Sequence, residues 1–99
     1  MYKYSVSWST LRHVFTKHKD LVKALGVRDL KELYDKLKIS IEHADEVYAD
    51  MFNVKYYIKK LNDLYANVIV YGNIIKTAYL LSPKTFNRMR RKRWIRKLS

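Results

Sequence analysis

Two eight-residue runs rich in β-branched and aromatic side chains, residues 64–71 and 74–81, meet at Gly72-Asn73. No other feature constrains the chain as tightly. Glycine reaches the positive φ that a two-residue loop demands, so the spacing predicts an antiparallel hairpin. In that register paired positions sum to 145, which sets Val70 against Ile75, Val68 against Thr77 and Ala66 against Tyr79. Ile75, Thr77, Tyr79 and Leu81 then share a face with Leu64, Ala66, Val68 and Val70, the more apolar face and the expected core side.

Upstream, the periodicity is helical. Tyr2, Tyr4, Val6 and Trp8 alternate as a short strand, and Ser7 or Ser9 can cap the helix that follows. Leu11, Val14, Phe15, His18, Leu21, Val22 and Leu25 keep 3.6 spacing up to Gly26, a helix stop. A second helix starts at Asp29 and buries Leu30, Leu33, Tyr34 and Leu37. Residues 39–52 fit a loop or short helix leading into a first strand near residues 45–50. Val54, Tyr56 and Ile58 then alternate as a strand, and Asn62-Asp63 marks a turn. A helix through 43–65 is the competing reading of this stretch. Ser82-Pro83 opens a short helix over residues 83–91. Trp94, Ile95 and Leu98 fit either an edge strand or an extension of that helix. The whole predicts a single α+β domain over residues 1–99: N-terminal helices packed on one face of a small antiparallel meander, and a basic C-terminal segment, 84–99, with a short helix.

Charge separates the ends of the chain. Residues 1–63 hold twelve Lys/Arg and all nine Asp/Glu, a net of +3, whereas residues 64–99 hold nine Lys/Arg and no acid. Such asymmetry suits a polyanion, since clustered cations raise the local phosphate concentration and release counterions on binding. In the tail, Lys84, Arg88, Arg90, Arg91, Lys92, Arg93, Arg96 and Lys97 surround Phe86, Met89, Trp94 and Ile95. Guanidinium forks match phosphate, and an exposed tryptophan stacks on an unpaired base, so nucleic acid is the expected partner. An anionic-lipid patch, or a homodimer contact through Trp94, would use the same residues.

Several chemistries are excluded. Without cysteine there is neither disulfide nor thiolate. The longest apolar runs, 68–71 and 78–81, fall far short of a membrane span. Met1-Tyr2-Lys3-Tyr4 lacks the blocks of a signal peptide, so an intracellular location is expected. No phosphate-binding glycine loop or Gly-x-Ser-x-Gly elbow occurs. Glu42, Asp45, Glu46 and Asp50 read as solvated acids rather than a magnesium site. His13 and His18, five apart, stand about 140° around a helix and cannot share a metal as an i, i+4 pair could. Neither metal nor cofactor is expected. His13 beside an exposed face can serve as a general acid or base, whereas His18 lies on the apolar stripe.

Two segments carry a family likeness. They are Leu11-Arg12-His13-Val14-Phe15-Thr16-Lys17-His18 and the run from Asn73 to Lys84 through Ile75-Lys76-Thr77-Ala78-Tyr79, followed by the basic run ending Arg93-Trp94-Ile95. Taken in order, the chain from about Ser9 to Lys97 resembles the phage-type branch of the barnase–EndoU–colicin–RelE-like nuclease superfamily. The resemblance implies a metal-independent endoribonuclease fold with RNA, favoured over DNA, held on a sheet face. It also implies catalytic roles for Arg12, His13, His18, Thr77 and Tyr79 in attack by the RNA 2′-oxygen on the adjacent phosphate. Lys76 departs from the pattern, standing where such sequences keep an apolar residue. In composition the chain also resembles small orphan proteins of filamentous viruses of hyperthermophilic archaea. That likeness implies a non-catalytic viral protein that binds nucleic acid or an acidic host protein.

Overall fold

The computed structural model describes residues 4–99. Its elements run α1 (Trp8–Lys17), α2 (Lys19–Leu25), α3 (Leu30–Glu42), β1 (Glu46–Ala49), β2 (Lys55–Leu61), β3 (Leu64–Tyr71), β4 (Ile74–Leu81), α4 (Pro83–Arg90) and β5 (Arg96–Lys97). The strands form one antiparallel sheet in the order β4-β3-β2-β1-β5, a four-strand meander closed by the C-terminal strand. This is the α+β architecture expected, with the three N-terminal helices on one sheet face. The short basic helix α4 packs on the other.

Local chemistry explains most boundaries. The Ser7 hydroxyl accepts from the Thr10 amide and starts α1, and Asp29 accepts from the Glu32 amide and starts α3. Gly26 ends α2 at φ 70°, a conformation in which a side chain is strained. Ser82 caps α4, with proline in its first turn. Asn62, at φ 57°, makes the β2–β3 turn, and Gly72, at φ 63°, the β3–β4 turn.

Four expectations need correction. The single helix predicted from Leu11 to Leu25 is broken at His18, where the backbone leaves the helical region (φ −119°, ψ 57°). The break has two local causes. Thr16 Oγ1 donates to the Arg12 carbonyl one turn earlier, and the Asp20 carboxylate accepts from the Leu21 amide, opening a new helix start. The predicted N-terminal strand reduces to one parallel bridge between Ser5 and Ile74. Trp8 belongs to α1 and is exposed, and Tyr2 lies outside the described residues. Residues 39–42 continue α3 instead of forming a loop, because Ile41 still packs in the core, whereas the strand expected around Tyr56 and Ile58 is present as β2.

The fourth correction concerns the hairpin register. Tyr71 pairs with Ile74 and Val70 with Ile75, as predicted, but Ile69 then pairs with Thr77 and Val68 with Ala78. Lys76 is therefore an extra residue in β4, a bulge. One inserted residue reverses the faces of all that follow. Ile75, Ala78 and Leu80 join Ala66, Val68 and Val70 in the core under α1–α3. Thr77, Tyr79 and Leu81 turn to the second face, so Thr77 and Tyr79 are not core residues beneath the helices. On that second face Tyr48, Ile58, Leu81 and Phe86 form a separate buried cluster edged by Tyr56, Tyr65, Tyr79, Met89 and Ile95.

The β1–β2 connection is organised by Asp50. Its carboxylate accepts from the Phe52 and Val54 amides and from the Tyr56 hydroxyl. Burial pushes the Asp50 carboxyl up, but these donors and the Arg96 charge together hold it below the usual carboxylate range. Burial, and then the same carboxylate, push the Tyr56 hydroxyl up to about 12. The depressed acid stabilises the fold fully above the ordinary aspartate pKa of about 3.9, and that contribution is lost as pH falls through the lower folded value. The raised phenol contributes fully below the ordinary tyrosine value of about 10 and less as pH climbs toward 12. Asp50→Asn should cost about 1–2 kcal/mol near neutrality, with the deficit shrinking toward pH 3, in urea-unfolding midpoints taken across pH.

Candidate nucleic-acid interface

The helix break places two imidazoles side by side. The His13 and His18 rings stand 5.6 Å apart, edge to face, and the His18 ring lies 5.8 Å from that of Tyr79. A continuous helix would have held the histidines on different faces. The bulge supplies the other half of the arrangement by turning Tyr79 off the helix-side core. His13 also lines an open depression of about 470 Å³ with Ser9, Thr10, Lys76 and Thr77. Four of the five residues implied by the family likeness, His13, His18, Thr77 and Tyr79, thus meet at the β4 edge of the sheet. Arg12 does not join them: it is exposed on α1 and does not line the depression.

His13 is exposed and His18 half-buried, so the pair reaches from solvent toward the sheet. Around it stand one ammonium, three hydroxyls and a phenol. Among the described residues, no three His, Asp or Glu side chains gather as metal ligands. Such a set can exchange protons through the imidazoles and balance a phosphate's charge through Lys76.

The tail forms a second feature. α4 lies on the second face with Phe86 buried, its ring 4.5 Å from Tyr65 and 6.0 Å from Tyr48. Beside it, Lys84, Asn87, Arg90 and Arg91 line a depression of about 470 Å³. Beyond α4 the chain turns and Arg96–Lys97 pairs with β1 as an edge strand, with Trp94, Ile95 and Leu98 flanking it. All of the tail cations expected to meet phosphate are exposed, but they are not equally available. Lys97 pairs with Glu46 at 3.5 Å, and an Arg96 guanidinium nitrogen donates to the Asp50 carbonyl. Lys92 sits over the Trp94 ring and Arg90 over that of Phe86. Lys84, Arg88, Arg91 and Arg93 form no ion pair among the described residues. Trp94 remains half-exposed. The expected strip is therefore a smaller free set mounted on a docked scaffold.

The histidine and tail depressions share no lining residue. They are linked by aromatic packing, since Tyr79 touches His18 and also borders the cluster that seats Phe86. In the sequence Lys76 stands out only as a departure from the family pattern. Its signal was present, because a lysine inside an apolar run beside a tight turn marks an edge bulge. Asn87 carried no comparable signal. No helix among the described residues is long and apolar enough to cross a membrane.

Compared with protein-family models, characterised proteins and solved structures, the chain matches none. Its reading therefore rests on the geometry. Phe86→Ala should remove the ring that seats α4 and cost roughly 3–5 kcal/mol in denaturant unfolding, far more than Arg88→Ala on the exposed side of the same helix.

Proposed function

We propose that this protein binds single-stranded nucleic acid, RNA above DNA, through α4 and the tail, and that the His13–His18–Tyr79 group gives it RNase-like activity. The observation that carries the reading is that His13 lines one open depression with Lys76 and Thr77 while its ring packs edge to face on that of His18. Cleavage of an RNA phosphodiester through its own 2′-oxygen needs a base to take the hydroxyl proton and an acid to protonate the departing 5′-oxygen. It also needs a cation beside the phosphorane. One histidine serves as base and the other as acid, and Lys76 is the cation. The 2′-oxygen bonds to phosphorus, the bond from phosphorus to the 5′-oxygen breaks, and the proton count balances. DNA lacks the attacking oxygen and is bound without being cut.

The free cations of the tail support the binding half, since arginine meets phosphate bidentately and clustered charge hastens encounter. A second reading, nucleic-acid binding without catalysis, draws on the separation of the two depressions. In it the tail grips alone, as a non-catalytic viral protein would.

The two readings part in one experiment. Purified protein in excess chelator should cleave an RNA oligonucleotide to a cyclic-phosphate end and leave its all-deoxy counterpart intact. His13→Ala and His18→Ala should each lower the rate by roughly 10²–10⁴-fold, and Lys76→Ala by about 10²-fold or more. Uncut RNA with normal binding retires the catalytic half alone. Replacing Arg88, Arg91 and Arg93 together with glutamine should flatten the dependence of log affinity on log salt by about 0.7 per lost contact. Salt-independent affinity would remove the binding reading.

A further inference from the structure

Asn67 lies near the centre of the sheet, paired with Ile58 on β2 and Tyr79 on β4. It is fully buried, and neither its amide nitrogen nor its amide oxygen has a hydrogen-bond partner. Side-chain alternation puts it on the second face, between Tyr65 and Ile69 along β3. Its neighbours on that face include Ile58, Tyr65, Ile69, Thr77 and Tyr79, and none of them bonds its amide. A leucine or valine would fill that place without leaving a donor and an acceptor unpaired, so the amide is a cost to the fold as it stands.

An asparagine amide offers a donor and an acceptor side by side, the complement of the donor–acceptor edge of a nucleobase. The half-buried rings of Tyr56, Tyr65 and Tyr79 edge the same cluster and offer flat faces on which a base can stack. The helix above the cluster contributes one buried residue, Phe86, with Arg90 over its ring and Lys84 and Arg91 nearby in the same depression. The amide, the tyrosine rings and the cations lie in one part of the molecule, with Asn67 closed beneath the others.

We propose that Asn67 is the floor of a nucleobase-recognition pocket, opened by movement of the tyrosine rings and α4, whose ligand is one unpaired base of a single strand. The inference rests on the nucleic-acid reading and adds base recognition to it. The tail supplies sequence-independent affinity and Asn67 supplies the choice of base.

Fluorescence anisotropy on labelled eight-nucleotide strands of A, C, G or U, and on an abasic strand of the same length, tests it. The wild-type protein should bind at least one base-bearing strand about tenfold more tightly than the abasic one. Asn67→Leu should keep the abasic affinity and its salt dependence, lose the preference among bases, and unfold at no lower temperature than wild type. The Asn67 side-chain amide resonances should shift with the preferred strand and stay in place with the abasic one. Equal, salt-dependent affinity of the wild-type protein for all strands overturns the pocket and leaves the binding reading standing, as does an Asn67→Leu variant that keeps its preference. No binding to any strand overturns both.

Discussion

Between Ile75 and Thr77 the outer strand carries one residue more than β3 can pair, and the position of every later side chain in the hairpin follows from it. Strand side chains alternate strictly, so a single insertion exchanges the two faces beyond that point. Ile75 and Ala78 can then both lie under the helices, and Leu80 packs against the same core. Lys76, as the extra residue at a sheet edge, stays exposed instead of lying on the aromatic second face. Without the insertion Thr77 and Tyr79 would be sealed beneath α1 and α2, and Leu81 could not meet Phe86. The bulge thus builds both the histidine depression and the seat of α4.

The break at His18 is the helical counterpart of that insertion. A straight helix from Trp8 to Leu25 would carry His18 on an apolar stripe, separated in angle from His13. Thr16 bonds back to the Arg12 carbonyl at the end of one helix, and the Asp20 carboxylate accepts from the Leu21 amide in the first turn of the next. The two histidine rings then meet, and the second of them reaches Tyr79. Two local irregularities, one in a helix and one in a strand, bring together side chains that regular elements would hold apart. Both fall at the β4 edge, where α1 and α2 rest on the sheet.

Much of this architecture is legible in the residues because local chemistry determines it. Gly26, Asn62-Asp63, Gly72-Asn73 and Ser82-Pro83 each impose a backbone geometry that no tertiary contact needs to supply, and all four mark the boundaries expected of them. The extension of α3 through Ile41 was harder to read, since a segment with both helical and alternating apolar positions is settled by the core it meets. The bulge and the helix break were illegible for a different reason. Each depends on a competition between two nearly equivalent registers, decided by whether Lys76 stays exposed at the edge and by where the Thr16 hydroxyl finds its acceptor. Of the candidate site, the histidines, Thr77 and Tyr79 were named from the sequence. Their meeting depended on those two competitions, and Arg12, on the continuous part of α1, stayed outside. Asn67 went unnoticed because a polar residue inside an apolar strand is read as exposed until its neighbours on both sides are known.

The same structure explains why an acid-free C-terminal third is tolerable at all. Nine cations without local acids repel one another, and a short chain has little core with which to offset the repulsion. β1 supplies the answer from elsewhere in the sequence, with Glu46 pairing to Lys97 and Asp50 receiving Arg96. Those contacts pin the terminus to the sheet, and Phe86 pins the helix before it. Neither reaches Lys84, Arg88, Arg91 or Arg93, which stand exposed on and just beyond α4. Were the tail's charge only a means of staying in solution, acids interleaved among its arginines would serve as well and at lower cost. Docking a cationic strip against an aromatic face keeps that repulsion in place, and the polyanion binding proposed above would relieve it. The proposed partner, a single strand of nucleic acid, would meet both demands at once, with phosphates for the strip and bases for the tyrosines.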